Sequence, residues 1–161
     1  MKKFVVLLLL IPTLSFAGDL SVGGGFMNGH SYSGDYSVDT GYSALVTYDK
    51  HLNSWPVRFG VGFNYLNYTR GDNRTGEDKT TDDYRGMAYA KPYWDLNKYF
   101  QPFALVGGGF ALADQDEMFG AFGAGFDTFF TENWGIGTTG LLSVGESRNV
   151  RQVILSIKYR F

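Results

Sequence analysis

The sequence predicts an all-β chain closed into an eight-stranded antiparallel transmembrane β-barrel of up-and-down topology. Three observations carry that reading. Apolar and polar side chains alternate with a period of two along most of the chain, broken by turn residues. Aromatic residues make up 17% of the chain and Gly 22 of its 161 residues, a composition that suits strands better than helices. After residue 17, no stretch approaches the about 18 apolar residues that a spanning helix needs.

The chain opens MKKFVVLLLLIPTLSFA. Lys2 and Lys3 precede a short apolar run, and Ser15-Phe16-Ala17 offers small residues where a signal peptidase reads. Residues 1–17 therefore read as a secretory signal and residues 18–161 as one barrel domain. The mature part holds 12 basic and 16 acidic residues, and no basic stripe points to nucleic acid. There is no Cys, which excludes thiol catalysis, thiolate metal sites and disulfides.

The strands follow in order. Leu20, Val22, Gly24 and Phe26 mark the first, and Tyr42, Ala44, Val46 and Tyr48 the second. The third sets Val57, Phe59, Val61, Phe63 and Tyr65 against Arg58, Gly60, Gly62 and Asn64. The fourth runs from about Tyr84 to Trp94, with Arg85, Met87, Tyr89 and Lys91 opposite Gly86, Ala88 and Ala90. The fifth covers Phe103 to Ala113 and looks apolar on both faces. The sixth covers Met118 to Phe130, with Phe122, Ala124 and Phe126 opposite Gly123, Gly125 and Asp127. The seventh shows Ile136, Thr138, Gly140, Leu142 and Val144 on one face. The eighth, RQVILSIKYRF, alternates to the last residue, with Ile154 the one apolar residue on its polar face.

Three short links, HLNSW, DLNKYF and TENW, each place an Asn in a tight turn and an aromatic at the next strand. They lie at one end. The opposite loops, residues 29–40, 66–83, 113–117 and 145–150, are expected to face outward. Trp55, Tyr99 and Trp134, with Tyr48 and Trp94, fit an aromatic girdle at one interface, and Tyr65, Tyr68 and Tyr84 at the other.

A sheet in hydrocarbon must leave no N–H or C=O unpaired, so only a closed barrel serves. Its apolar face meets lipid and its polar face meets the lumen. Asp49, Arg58, Arg85, Lys91, Asp127 and Lys158 are therefore expected to form a lumen network that stabilises the barrel. Side chains about fill the interior of an eight-stranded barrel, which argues against a diffusion pore.

The signal, the strand count, YFQPFALVGGGF, FGAGFDTFFTENWGIG and the terminal KYRF resemble the small eight-stranded outer-membrane barrels of Gram-negative bacteria, the OmpA/OmpX/opacity-protein type. The resemblance spans the whole mature chain. It implies residence in the outer membrane among lipid and lipopolysaccharide, a monomer, and passage through the outer-membrane assembly machinery. In that family Phe161, with Tyr159 before it, would be the assembly signal. It also implies a structural or surface role, through adhesion or through host or envelope contact made by the outer loops. Cell-wall anchoring is not implied, because the resemblance stops at the barrel.

Two rival readings are weighed. One is a lipid-modifying enzyme of the lipid A deacylase or acyltransferase type, with His30, Ser31, Ser33 and Asp35 as the only raw material. The stretch lacks the deacylase His-x-Ser-Asn pattern. The other is a soluble periplasmic lipocalin-like binder, which would need an apolar interior. His51 reads as a solvated turn residue, and the acidic second loop as a solvated surface or a contact surface for cations, lipopolysaccharide or a host partner. The two triple-Gly runs lack the helix that a phosphate loop requires. No catalytic residue, metal or cofactor is expected.

Overall fold

A computed structural model describes residues 18–31, 36–51, 55–72, 75–112 and 116–161. The predicted signal lies outside the described residues. Eight strands follow in order: β1 (Gly18–Ser31), β2 (Tyr36–His51), β3 (Val57–Asp72), β4 (Asp78–Pro92), β5 (Phe100–Leu112), β6 (Glu117–Phe129), β7 (Trp134–Gly145) and β8 (Arg148–Arg160). Each pairs antiparallel with its neighbours, and β8 returns to β1, closing the barrel. That last seam runs from Asp19↔Arg160 to Ser31↔Arg148, and Phe161 N–H donates to the Gly18 carbonyl at 3.0 Å.

Side chains alternate as a membrane barrel demands. Phe59, Val61 and Ile157 are 50%, 52% and 60% exposed on the outer wall, whereas Arg58 and Lys158 between them are 0% and 3% exposed. A soluble binder with a greasy interior is thereby excluded. The fifth strand, apolar on both faces, sorts by parity. Phe103, Leu105 and Ala111 are buried, while Val106, Phe110 and Leu112 face out.

The strand ends depart from expectation. Strands are 12–16 residues long, and the loops predicted at 29–40 and 66–83 are largely strand. β3 and β4 stay paired through Thr69↔Thr80 and Arg70↔Lys79 to Gly71↔Asp78. Polar composition hid this hairpin. Its β-branched and aromatic residues favour strand, and ladder pairing continues beyond hydrocarbon because water penalises it no more than a loop. Likewise Glu117 and Arg148–Val150 belong to β6 and β8 rather than to loops. Tyr68, assigned to the outer girdle, is 1% exposed and points inward. It shares parity with Asn64 and Leu66, both lumen-facing. His51, expected in a turn, ends β2 and is half-buried.

The periplasmic turns use the residues singled out in sequence. Asn97 Oδ1 accepts from the Tyr99 and Phe100 amides at 2.9 Å each. Thr131 Oγ1 accepts from Trp134 N–H at 2.8 Å, and Asn133 Nδ2 donates to the Arg160 carbonyl at 2.8 Å. Trp55, Trp94, Tyr99 and Trp134 are all exposed at this end, where indole and phenol rings favour the interface.

One seam is weaker than the rest. β4 and β5 pair regularly only from Tyr84↔Leu112 to Ala90↔Val106, seven pairs against ten or more in every other seam of the described residues. A single bridge, Tyr93↔Phe103, and a 2.9 Å bond from Trp94 N–H to the Pro102 carbonyl continue it. Pro92 and Pro102 both face this seam and have no N–H to give. The Ala104 carbonyl opposite Pro92 consequently has no ladder donor. The amides bordering this gap in the β4–β5 seam are expected to exchange with deuterium faster than amides at equal depth in the β1–β8 seam, and Pro92→Val, whose added N–H can donate to the Ala104 carbonyl, to slow them. Equal exchange in the two seams, measured by NMR in micelles, would refute this account.

Candidate functional site: two ionic layers and an apolar plug in the lumen

Reading the inward positions down any one strand shows the plan of the interior. On β4 they run Asp83, Arg85, Met87, Tyr89, Lys91, and on β8 Arg148, Val150, Gln152, Ile154, Ser156, Lys158. Charge stands at both ends and apolar bulk between. Across the barrel these positions assemble into two ionic layers separated by a plug.

The periplasmic layer gathers five of the six residues expected to form one network. Arg58 Nη1 lies 3.2 Å from Asp127 Oδ2 and 3.1 Å from Asp19 Oδ2. Lys91 Nζ bridges Asp127 at 3.0 Å and Asp49 at 3.2 Å. Lys158 Nζ reaches the other Asp127 oxygen at 3.1 Å and Asp49 at 3.9 Å. Every carboxylate here is fully buried. A buried charge is tolerable only when paired and hydrogen-bonded, and neutral partners add to the shell. Tyr89 donates to Asp49, and Gln101 accepts from Arg58. Lys91 also sits 3.9 Å from the Phe103 ring centroid and Arg58 4.3 Å from that of Tyr93, favourable cation–π geometry.

Small residues make room for this. A Cβ at Gly60 would lie 2.6 Å from the Asp49 carboxylate and 2.5 Å from the Tyr89 ring. One at Gly137 would lie 2.7 Å from both Asp127 and the Lys158 side chain. These glycines are slots for the ionic groups of neighbouring strands.

Toward the barrel mouth the layer joins Arg160, which was not among the expected network residues, and His51, expected to be a solvated turn residue. Arg160 Nε donates to Asp19 at 2.8 Å, and His51 Nε2 approaches the other Asp19 oxygen at 3.4 Å. Both follow from the parity of their strands, but their closeness to strand ends disguised them.

Arg85 does not join this cluster. It lies in a second layer near the outer loops, where it donates twice to Asp83 Oδ2, at 2.9 and 2.8 Å. Arg148 bridges the same Asp83 oxygen at 3.2 Å and Glu117 at 3.0 Å, and hydrogen-bonds Tyr68. Ser147 N–H caps the other Glu117 oxygen at 3.1 Å. Asp83, Glu117 and Arg148 stand in polar stretches whose composition suits loops, which hides their part in this layer.

Between the layers lie Leu45, Met87, Leu105, Phe119, Leu141 and Ile154, all buried. Ile154, the apolar exception on the polar face of β8, is part of this plug. It borders a cavity of about 30 Å³ shared with Lys91 and Lys158, room for about one water. No cleft reaches a nucleophile–base pair among the described residues. His30 pairs with Asn149 in the β1–β8 ladder, and Ser33 and Asp35 lie outside the described residues.

Above the outer girdle, the Tyr65 hydroxyl and Asn67 amide donate to Asp82 Oδ1 at 2.7 and 2.8 Å. These bonds hold the Asp82 carboxyl below the usual carboxylate range. They clip β3 to β4 where the hairpin leaves the membrane.

The layer geometry sets an additivity test. Asp127→Ala removes the carboxylate that Arg58, Lys91 and Lys158 share and should cost about 3 kcal/mol or more of unfolding free energy in lipid vesicles. Combined with Asp83→Ala the losses should add within about 0.5 kcal/mol, since the plug separates the sites. Combined with Lys158→Ala they should fall clearly short of the sum. Strong coupling between Asp127 and Asp83 in urea titrations would contradict two independent layers.

Comparisons with known proteins agree with this architecture. The profile of the outer membrane protein beta-barrel domain matches residues 4–161. Solved structures that share the fold include three outer-membrane proteins. Neisserial surface protein A (NspA) has a TM-score of 0.71 at 13% identity, over 89% of this chain and 97% of its own. Ail, the attachment invasion locus protein of Yersinia pestis, has a TM-score of 0.61 at 18% identity, over 90% and 98%. OprG from Pseudomonas aeruginosa has a TM-score of 0.61 at 15% identity, over 90% and 96%. No curated protein matches the chain. An apolar belt outside, charges sealed within and a family profile over nearly every residue lead to one conclusion: the chain belongs to the outer membrane protein beta-barrel domain family and resides in the outer membrane of Gram-negative bacteria.

Proposed function

We propose that this barrel is a non-catalytic surface protein that holds the β3–β4 hairpin clear of the membrane for contact with an external partner. The observation that carries this reading is the hairpin itself. Its strands stay paired to Gly71↔Asp78, well past Tyr65 and Tyr84 of the outer girdle, and residues 75–80 at its tip are all exposed. The lumen offers no competing role, because the plug and the two ionic layers occupy it. The ionic layers stabilise the wall, and Phe161 with Tyr159 serves the assembly machinery. Tyr159 stacks edge-on between Trp134 at 4.8 Å and Phe161 at 4.9 Å, which presents an ordered aromatic edge at the periplasmic rim.

Charge narrows the partner. Apart from the lumen-facing Asp83, Glu117 and Arg148, residues 29–40, 66–83, 113–117 and 145–150 hold nine acidic and three basic residues. Ail has been solved with the heparin analogue sucrose octasulfate. A polysulfate would be repelled by the acidic rim of this chain. The partner is therefore cationic, or is bridged by divalent cations.

Cells displaying the protein should adhere to a polycation-coated surface and not to heparin, with adhesion falling as ionic strength rises. Glu77→Lys combined with Asp78→Lys should weaken adhesion several-fold while the barrel keeps its heat-modifiable mobility. Adhesion indifferent to these charges would defeat the hairpin reading. Steady conductance in planar bilayers is expected to be absent; a stable open channel would show that the plug yields.

A further inference from the structure

The outer wall is not uniformly filled. Outward positions on the flanking strands β3 and β5 carry Phe59, Phe63, Val106 and Phe110, whereas those on β4 carry Gly86, Ala88 and Ala90. The result is a trough of about 570 Å³ on the lipid-facing side. Ala88 and Ala90 form its floor with the backbone of Gly107, and Phe59, Val61 and Val106 form its sides. At Gly86, just beyond, an added Cβ would meet nothing within 4 Å, so the trough stays open toward the membrane midplane. Its other end is closed by Lys50, exposed and paired with Phe59 one residue from the end of β2.

We infer that this trough seats one anionic phospholipid of the periplasmic leaflet, its acyl chain over Ala90 and Ala88 and its phosphate on the Lys50 ammonium. Charge decides the orientation. Lys50 lies one residue from the periplasmic end of β2, where a lysine reaches the headgroup region. At the opposite end of the same β4 face stands the exposed carboxylate of Asp82, which repels a phosphate. A lipid hanging from the outer leaflet would place its anionic head there. The head therefore fits only at the periplasmic end. A second copy of the chain is a poorer occupant, because two-fold pairing about the membrane normal would bring both Lys50 ammonium groups to one level.

The full chain, delipidated in neutral detergent, should retain one phosphatidylglycerol in native mass spectrometry at concentrations where phosphatidylcholine is lost. Lys50→Gln should weaken phosphatidylglycerol retention about fivefold, the effect of one cation at an anionic surface, and Lys50→Arg should restore it. Ala90→Phe should abolish retention, with heat-modifiable mobility verifying the folded barrel. Equal retention of the two lipids by the unaltered protein overturns the proposal. So does retention untouched by Lys50→Gln, or a dimer that forms through this face and excludes lipid.

Discussion

No backbone N–H or C=O can face hydrocarbon unpaired, and the architecture follows from that constraint. It requires β8 to find β1, so the chain is ordered through Arg160 and bonded at Phe161 to Gly18. It also dictates that alternate side chains face lipid and lumen. The apolar residues then have no choice but the outer wall, and every polar group on the other parity enters a narrow, shared interior.

Charges drawn into that interior must find partners there. Three carboxylates and four cations pair with one another across the periplasmic half, and Asp83, Arg85, Glu117 and Arg148 do so near the outer loops. The apolar plug between them keeps the two sets apart and fills the space that a channel would need. Glycines at 60 and 137 make room on the lumen face for side chains of the neighbouring strands. The cost in strand propensity is offset by burying each ion among its counter-ions. Because the interior is occupied by this packing, recognition moves to the edges of the barrel and to its outer surface.

β4 concentrates the exceptions. Its outward face carries small residues, its periplasmic end carries Pro92, diagonal to Pro102 across the seam, and its outward end continues into the projecting hairpin. One strand thus borders the weakest seam, forms the floor of the lipid-facing trough and supplies half of the acidic projection. The two ends of the wall also differ in charge. Lys50 marks the periplasmic rim, and an excess of carboxylates marks the outer one.

Alternation along the chain was enough to determine strand number, strand order, facing and environment. Period-two patterning assigns each side chain to a face, and the absence of any partner for exposed backbone leaves closure as the only solution. Arg58, Asp49, Lys91, Asp127 and Lys158 were legible as lumen residues on that basis alone. Parity does not report depth. Which charges meet depends on strand tilt and stagger, and these bring Arg58 of β3 to Asp127 of β6, 69 residues away, yet carry Arg85 to the far side of the plug. Strand ends were equally hidden. A polar hairpin in water and a loop have similar composition, and only the register of β3 on β4 distinguishes them.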